Sequence, residues 1–587
     1  MKKTALYSLL GTLALSTPAL AGDYTGGPLP ADAIYYGGDL LTMAGKEPRY
    51  VGALAVEGGK IVFAGKKAEA MQYKGSDTKL INLKGHTLLP GFIDGHGHMI
   101  YYGKNMVDAD LVGVKSIPEL VARMKAQAAK MGPDDWIVGF GYSVPLLKEN
   151  RHPTAAELNA VSPDRPIMVV DSSGHNGAGN SGVFKILGLD ASTKDPEGGS
   201  FARNPDGTLA GPLEEQALFA VREQRPSFTG KLADDVAING SSMWASYGQT
   251  TAQECGVGLG KDDIDIIRNA IDKKLLPIDL YLCAKDSSVS DVLAASYAVA
   301  SEYSLDDESA AKKLLAARPD LDKRYINRVR LGGIKLWLDG SIPTAWFSEA
   351  YAHNPPDKQG DYRGFQQVPD DYVNGVFDQF WKTGIQINMH MNGDAAAEQA
   401  LKAIERAVTL YGMADSRPVF VHATYMRPDQ IARMKKLGAV PTFTTGSLAG
   451  GGDVAVHYWG KDRAAASIPI NTLEEMGVKF SLNHDAPILP RPDVLALVDA
   501  AVNRTSSSGQ VIGPEQRASP YLALKGVTAY AAYQIKEEKT KGTLEKGKLA
   551  DFVVLEQNPL KVDPKSIKNI RVLETIKEGQ TVFKLID

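Results

Sequence analysis

Only two cysteines, Cys255 and Cys283, occur in 587 residues. Two thiols exclude a disulfide-framed mini-protein and a thiolate zinc cluster. Both lie in apolar, strand-like runs, and we expect buried thiols there even in an oxidising compartment. The chain also lacks an excess of either charge: 65 basic against 69 acidic residues leave a net −4. That gives no electrostatic footprint for nucleic acid. After the first residues no apolar run is long enough to span a bilayer. No internal repeat or low-complexity tract is present. Histidine is scarce as well, at ten, so any clustering of imidazoles carries information.

What is present begins with an address. Residues 1–21 read MKKTALYSLLGTLALSTPALA. Lys2 and Lys3 precede a short apolar stretch, Tyr7 to Leu15, and Ala19-Leu20-Ala21 forms an A-x-A cleavage site. The expectation is export to the periplasm, or secretion, with cleavage after Ala21. Losing Lys2 and Lys3 takes the net charge from −4 to −6.

Short alternating segments follow at Ala33–Tyr36, Ala53–Val56, Ile61–Ala64 and Lys79–Leu83, with glycine turns between them. Similar segments return at Asp551–Leu555 and Thr581–Leu585. This is antiparallel β material, and neither group suffices for a stable sheet alone. Together they predict one small composite β-sandwich from residues 22–86 and 546–587. Between them, eight apolar runs alternate with helical patterns: Thr87–Ile93, Thr250–Glu254, Ile278–Cys283, Arg330–Leu336, Gly384–Met389, Val419–Val421, Ala439–Phe443 and Val478–Leu482. Eight such runs predict an α/β fold, a (β/α)8 TIM barrel over residues 87–545. The long interval 100–245 holds at least two further strands, Trp136–Phe140 and Ile167–Asp171. We read it as an inserted α/β lid over the barrel mouth.

Five chemically rich sites sit at or near the ends of these runs. In Asp94-Gly95-His96-Gly97-His98, side chains at i and i+2 share a face, so His96 and His98 can offer two imidazoles to one metal ion. Lys335 lies inside the apolar run Gly333-Ile334-Lys335-Leu336-Trp337. A charge there is costly unless paired or modified. It is either a salt-bridged core lysine or a carbamylated lysine able to bridge two metals. His390, His422 and Asp485 each end a run. In a barrel all five sites converge on the C-terminal face. Imidazoles with a carboxylate make a nitrogen/oxygen site suited to zinc or a similar divalent ion. Two lower-ranked candidates, His175 and Tyr142, lie in the insert and could touch substrate. Asp339, four residues after Lys335, is a partner for the site or a turn residue. His86, His152, His353 and His457 have no such context. Gly177-Ala178-Gly179-Asn180-Ser181-Gly182 matches G-x-G-x-x-G but lacks the βαβ context of a dinucleotide site.

The motifs GFIDGHGHM, GGIKLWLDGS, INMHMNGD, FVHATYMRPD and NHDAPI, bracketed by GHTLLPGFIDGHGH and KGTLEKGKLADFVVL, resemble the amidohydrolase superfamily. The chain is more closely similar to amidohydrolase family 3, the YtcJ-like branch that includes N-substituted formamide deformylases. The resemblance covers nearly all of the chain after residue 21. It implies a metal-bearing (β/α)8 barrel with a composite β-sandwich. It further implies His96 and His98 as ligands of one metal, and His390 and His422 as ligands of a second, or one of them as a substrate-orienting group. Lys335 would bridge if carbamylated, and Asp485 would ligate metal and handle the proton. His484 stands where many relatives carry serine, either to tune or orient Asp485 or simply to line the mouth, and relatives differ in holding one or two ions. The expected activity is hydrolysis of a non-peptide carbon–nitrogen bond, amide or N-formyl-like, in a small molecule through a metal-activated water. The competing readings are a deaminase or cyclic-amide hydrolase, and a non-catalytic periplasmic binding protein. Oligomeric state stays open, a homodimer included.

Overall fold

The computed structural model describes residues 28–586 apart from 134, 172–173, 175, 197–198, 297–324 and 356–357. The leader-like segment and His175 lie outside the described residues. Eight strands form one parallel sheet in chain order: β1 Phe92–Ile93, β2 Gln249–Val257, β3 Asp279–Lys285, β4 Val329–Trp337, β5 Gln386–Met391, β6 Val419–His422, β7 Val440–Phe443 and β8 Ser481–Leu482. They are the strands read from the apolar runs. β2 is buried at all nine residues, as expected of a parallel sheet covered on both faces. Beyond the two outer strands the chain closes up. The His96 carbonyl accepts from Asp485 N at 3.2 Å, and the Ala486 carbonyl accepts from His98 N at 3.0 Å. The result is a TIM-barrel-like α/β fold, with the segments after β1 and β8 side by side.

The helices between strands follow from their patterning. Asp394–Tyr411 buries Ala397, Ala400, Leu401 and Ile404 on one stripe. It stops at Gly412, whose φ of +83° suits glycine.

Three expectations need correction. First, Thr87–Ile93 is not one barrel strand. Thr87–Pro90 pairs with Phe552–Leu555 and with Ala33–Leu41 in a separate eight-stranded sheet, and only Phe92–Ile93 enters the barrel. Gly91 makes the crossing, where a Cβ would come 2.3 Å from Thr250 Cγ2. Second, the sheet shared by the two chain ends is mixed rather than antiparallel. Ala33–Leu41 runs parallel to both Lys79–Asn82 and Thr87–Pro90. A strand at Val572–Lys577, absent from the sequence reading, also joins this sheet. Third, Cys255 and Cys283 form a disulfide rather than two free thiols. Burial was legible in the sequence, but the β2–β3 register was not. That register sets the two residues directly opposite, with Cα atoms 4.3 Å apart.

The insert carries a six-stranded sheet in the order Gly199–Arg203, Leu209–Glu215, Asn176–Gly179, Ile167–Asp171, Ile137–Tyr142, Ala109–Asp110. Gly177 lies in a strand antiparallel to both its neighbours, which removes the dinucleotide reading of its motif. The last part of the 100–245 interval belongs with the barrel: helix Gly230–Ser246 packs Trp244 into the main core.

At the N-terminal end of β3, Asp279 accepts from two buried ammonium groups, Lys541 at 2.7 Å and Lys577 at 2.8 Å. Lys577 also meets Asp551 at 2.9 Å. This buried cluster ties the barrel floor to the sheet built from the chain ends.

Candidate metal centre

Asp485 is the hub of the site. Its Oδ1 lies 3.2 Å from His98 Nε2 and 3.4 Å from His96 Nε2, and its Oδ2 lies 3.9 Å from His422 Nε2. Lys335 Nζ stands 3.2 Å from His96 Nε2. The His390 ring packs 4.6 Å from the His422 ring, centroid to centroid. Thus the six residues singled out at strand ends come together. Tyr142 is placed elsewhere: it is fully buried in the insert core, with its hydroxyl 2.6 Å from His152 Nδ1.

Two of these side chains reach the site through costly backbone. His422 and Asp485 have φ of +70° and +51°, a region that non-glycine residues seldom occupy. Such strain collects at functional sites, held by the structure around it.

The rings are oriented from behind. Thr444 Oγ1 donates its single proton to Asn483 Oδ1 at 2.7 Å, so it accepts from His422 Nδ1–H at 2.8 Å. The Nε2 lone pair of His422 therefore faces Asp485. Asp339 sits 3.1 Å from His390 Nδ1 and is itself fixed by the backbone N–H groups of Asn392, Gly393 and Trp346. A carboxylate there requires the proton on Nδ1, which again leaves Nε2 as a lone pair. Asp339 is thus a partner of the site rather than a turn residue. Glu254, on β2, lies 3.6 Å from His98 Nδ1 and anchors on the Ile100 backbone N–H. A ligand histidine held by a carboxylate behind it is a recurring arrangement in metal sites.

Burial governs the electrostatics. It drives His96 and His422 well below the ordinary histidine range, so both are neutral donors. Burial also opposes charge on His98, but hydrogen bonds to Asp485 and Glu254 outweigh it and raise that group to about 9. Lys335 is pushed down to about 7 by burial, against the opposing pull of Asp485. Burial favours a neutral Asp485, yet the surrounding His422, His96 and His98 hold it well below the carboxylate range. The neutral imidazoles of His96 and His422 beside an ionised carboxylate fit a divalent cation, whose binding would displace the proton held by His98. The ligand atoms of His96, His98 and Asp485 all lie within 4.8 Å of one another. His96 Nδ1 is buried without a hydrogen-bond partner among the described residues.

His484 does not line the mouth. It is buried, its Nδ1 accepts from Ala486 N, and its Nε2 turns to Asp94 and Gln249 at 3.5 and 3.4 Å. Asp94 is also held by Trp244 Nε1 at 2.9 Å and caps His96 N at 3.0 Å. His484 and Trp244 therefore brace the turn that carries His96 and His98.

Glu254 was not singled out in the sequence. Its signal was the one that exposed Lys335, a charge inside an apolar strand. Glu254→Gln is expected to weaken metal retention about 10- to 100-fold while leaving the fold intact. Competition with a graded chelator series checks this, and unchanged retention would reduce Glu254 to a backbone anchor.

A family model described as Amidohydrolase family matches residues 79–583. YtcJ of Bacillus subtilis, named as an amidohydrolase, is 25% identical over 563 residues, covering 94% of this chain and 99% of that protein. The N-substituted formamide deformylase of Arthrobacter pascens is 24% identical over 545 residues, covering 90% of this chain and 94% of its own. Among solved structures, an uncharacterized metal-dependent hydrolase from Pyrococcus furiosus superposes with a TM-score of 0.70 at 25% identity, covering 90% of this chain and 100% of its own. One from Pyrococcus horikoshii OT3 gives 0.70 at 22% identity, covering 91% and 99%. With its motifs, its barrel-like sheet and its histidine–aspartate cluster in agreement, the chain belongs to the amidohydrolase family, in the YtcJ-like family 3 branch.

Proposed function

We propose that this protein is an exported, metal-dependent hydrolase of a non-peptide carbon–nitrogen bond, amide or N-formyl-like, in a small molecule. The observation that carries this is the convergence of His96, His98 and His422 on Asp485, each within 4 Å of the carboxylate, with Lys335 Nζ 3.2 Å from His96. The likeness to a protein named N-substituted formamide deformylase supports the choice of bond. The fold belonging to this reading is a closed (β/α)8 barrel with the two chain ends as a β-sandwich and the insert as a lid.

His96, His98 and Asp485 would hold one ion, with His390 and His422 completing a second position and a carbamylated Lys335 between them. Zinc suits this nitrogen/oxygen set. Bound there, a divalent ion supplies a water acidified toward neutrality and a Lewis acid for the carbonyl oxygen. Asp485 is the proton carrier. Its Oδ1 is committed to His96 and His98, while Oδ2, 3.9 Å from His422, is the less constrained oxygen. That oxygen would take the water proton and return it to the departing nitrogen. His422, with its proton spent on Thr444, offers a lone pair and no hydrogen bond to an oxyanion, which favours a ligand role over a polarising one. His390, backed by Asp339, is suited to the same task.

Elemental analysis of the protein purified from the periplasm without chelators tests this reading, alongside intact mass and a panel of N-formyl amines. Expected are about one to two equivalents of a divalent ion, a mass starting at Gly22, a carbon-dioxide-sized adduct lost in acid, and release of formate. Absence of metal even after reconstitution would overturn the hydrolase reading in favour of a binding protein.

A further inference from the structure

We infer that Trp337 is the wall of the substrate site that selects a planar apolar substituent on the scissile amide, an inference resting on the hydrolase reading above. Strand β4 is buried from Val329 to Leu336, and Trp337 alone is partly exposed. It lies two residues beyond Lys335, hence on the same side of the strand. Lys335 Nζ is 5.5 Å from the centre of its ring. In the β4–β5 register Trp337 stands opposite His390. It therefore occupies the C-terminal rim of the barrel, beside two members of the candidate metal centre.

The other tryptophans are accounted for by packing. Trp244, Trp381 and Trp459 are buried in the main core and spend their indole N–H groups on Asp94, Gly412 O and Ile342 O. Trp136 sits in the insert core, and Trp346 packs against the main core. Among the described residues, Trp337 belongs to none of the hydrophobic clusters. A large aromatic face left partly open among polar groups, with Lys335 Nζ near it, lacks a partner of its own kind. A flat apolar group carried by the carbonyl or the nitrogen of the substrate supplies one, by offset stacking and by exclusion of water. A methyl substituent gains little from such a face.

The test compares formanilide with N-methylformamide as substrates for the full-length, metal-loaded protein and its Trp337→Ala and Trp337→Phe variants. Trp337→Ala is expected to raise KM for formanilide about 10-fold, with KM for N-methylformamide changed less than about 2-fold and metal content unchanged. Trp337→Phe should recover most of the loss. Equal losses on both substrates, or lower metal content, would mean that the ring only supports Lys335, and the inference falls. Binding is read separately by tryptophan fluorescence with benzamide. A saturable change in the wild type that vanishes in Trp337→Phe supports the wall, and identical curves overturn it. If the wild type hydrolyses neither formyl amide, the N-formyl choice of bond fails, and the benzamide titration alone decides the fate of Trp337.

Discussion

Asp485→Asn is expected to lower kcat by about 10²- to 10⁴-fold while most of the metal stays bound. The reasoning is geometric. Asparagine is nearly isosteric and keeps one oxygen where Oδ1 meets His96 and His98 at 3.4 and 3.2 Å. It cannot accept a proton at the position of Oδ2. The ligand cage therefore survives, and the relay between water and leaving nitrogen does not. Steady-state kinetics with elemental analysis of the same sample separates the two effects. Near-normal turnover would remove Asp485 from the proton relay. Loss of metal together with activity would make its contribution one of ligation alone.

The second large effect concerns stability. Asp279→Ala is expected to destabilise the protein by about 3–5 kcal/mol, the usual cost of removing one partner from a buried ionic contact. Two ammonium groups that are nearly inaccessible to solvent lose their shared partner at once, Lys541 being left with Glu537 at 2.7 Å and Lys577 with Asp551 at 2.9 Å. Lys577→Met should cost less, because Asp279 keeps Lys541 at 2.7 Å and Arg328 at 3.2 Å. Urea unfolding followed by intrinsic fluorescence provides the comparison, and an unshifted midpoint for Asp279→Ala would show that the cluster does not hold the floor together. The pH dependence has a definite sign. Burial alone would raise the Asp279 carboxyl, but Lys541 and Lys577 outweigh it and hold the group far below its ordinary value. Its contribution is complete above the unfolded value near ~4. It is lost as pH falls below that value toward the depressed native one. In Asp279→Ala this component of acid sensitivity should be gone.

The candidate site was unusually legible, for a local reason. Burying a charge in an apolar strand, or placing two imidazoles at i and i+2 just beyond one, is conspicuous. Lys335 and the pair His96 and His98 could therefore be found without knowing the fold. His390, His422 and Asp485 gained meaning because β-runs alternating with helices imply a barrel, which gathers strand ends on one rim. The groups behind them were less visible. Thr444 and Asn483 are ordinary residues in their own segments, and the charge of Glu254 inside its apolar strand does not say which group it backs. Only the pairing of distant strands brings them to an imidazole edge.

The sequence by itself determined the class of the sheet, the places along the chain of its eight strands and the residue types that meet at its rim. Those depend on short-range patterning and on the cost of burying charge, both written locally. Tertiary structure alone decided three matters. It decided that Thr87–Pro90 and Phe92–Ile93 part company at Gly91, because two sheets compete for one apolar run. It decided that Cys255 and Cys283 bond, because register is a relation between strands 28 residues apart. And it decided which way each imidazole faces, because a tautomer is chosen by the hydrogen bond on its far nitrogen, and that partner always comes from another strand or loop.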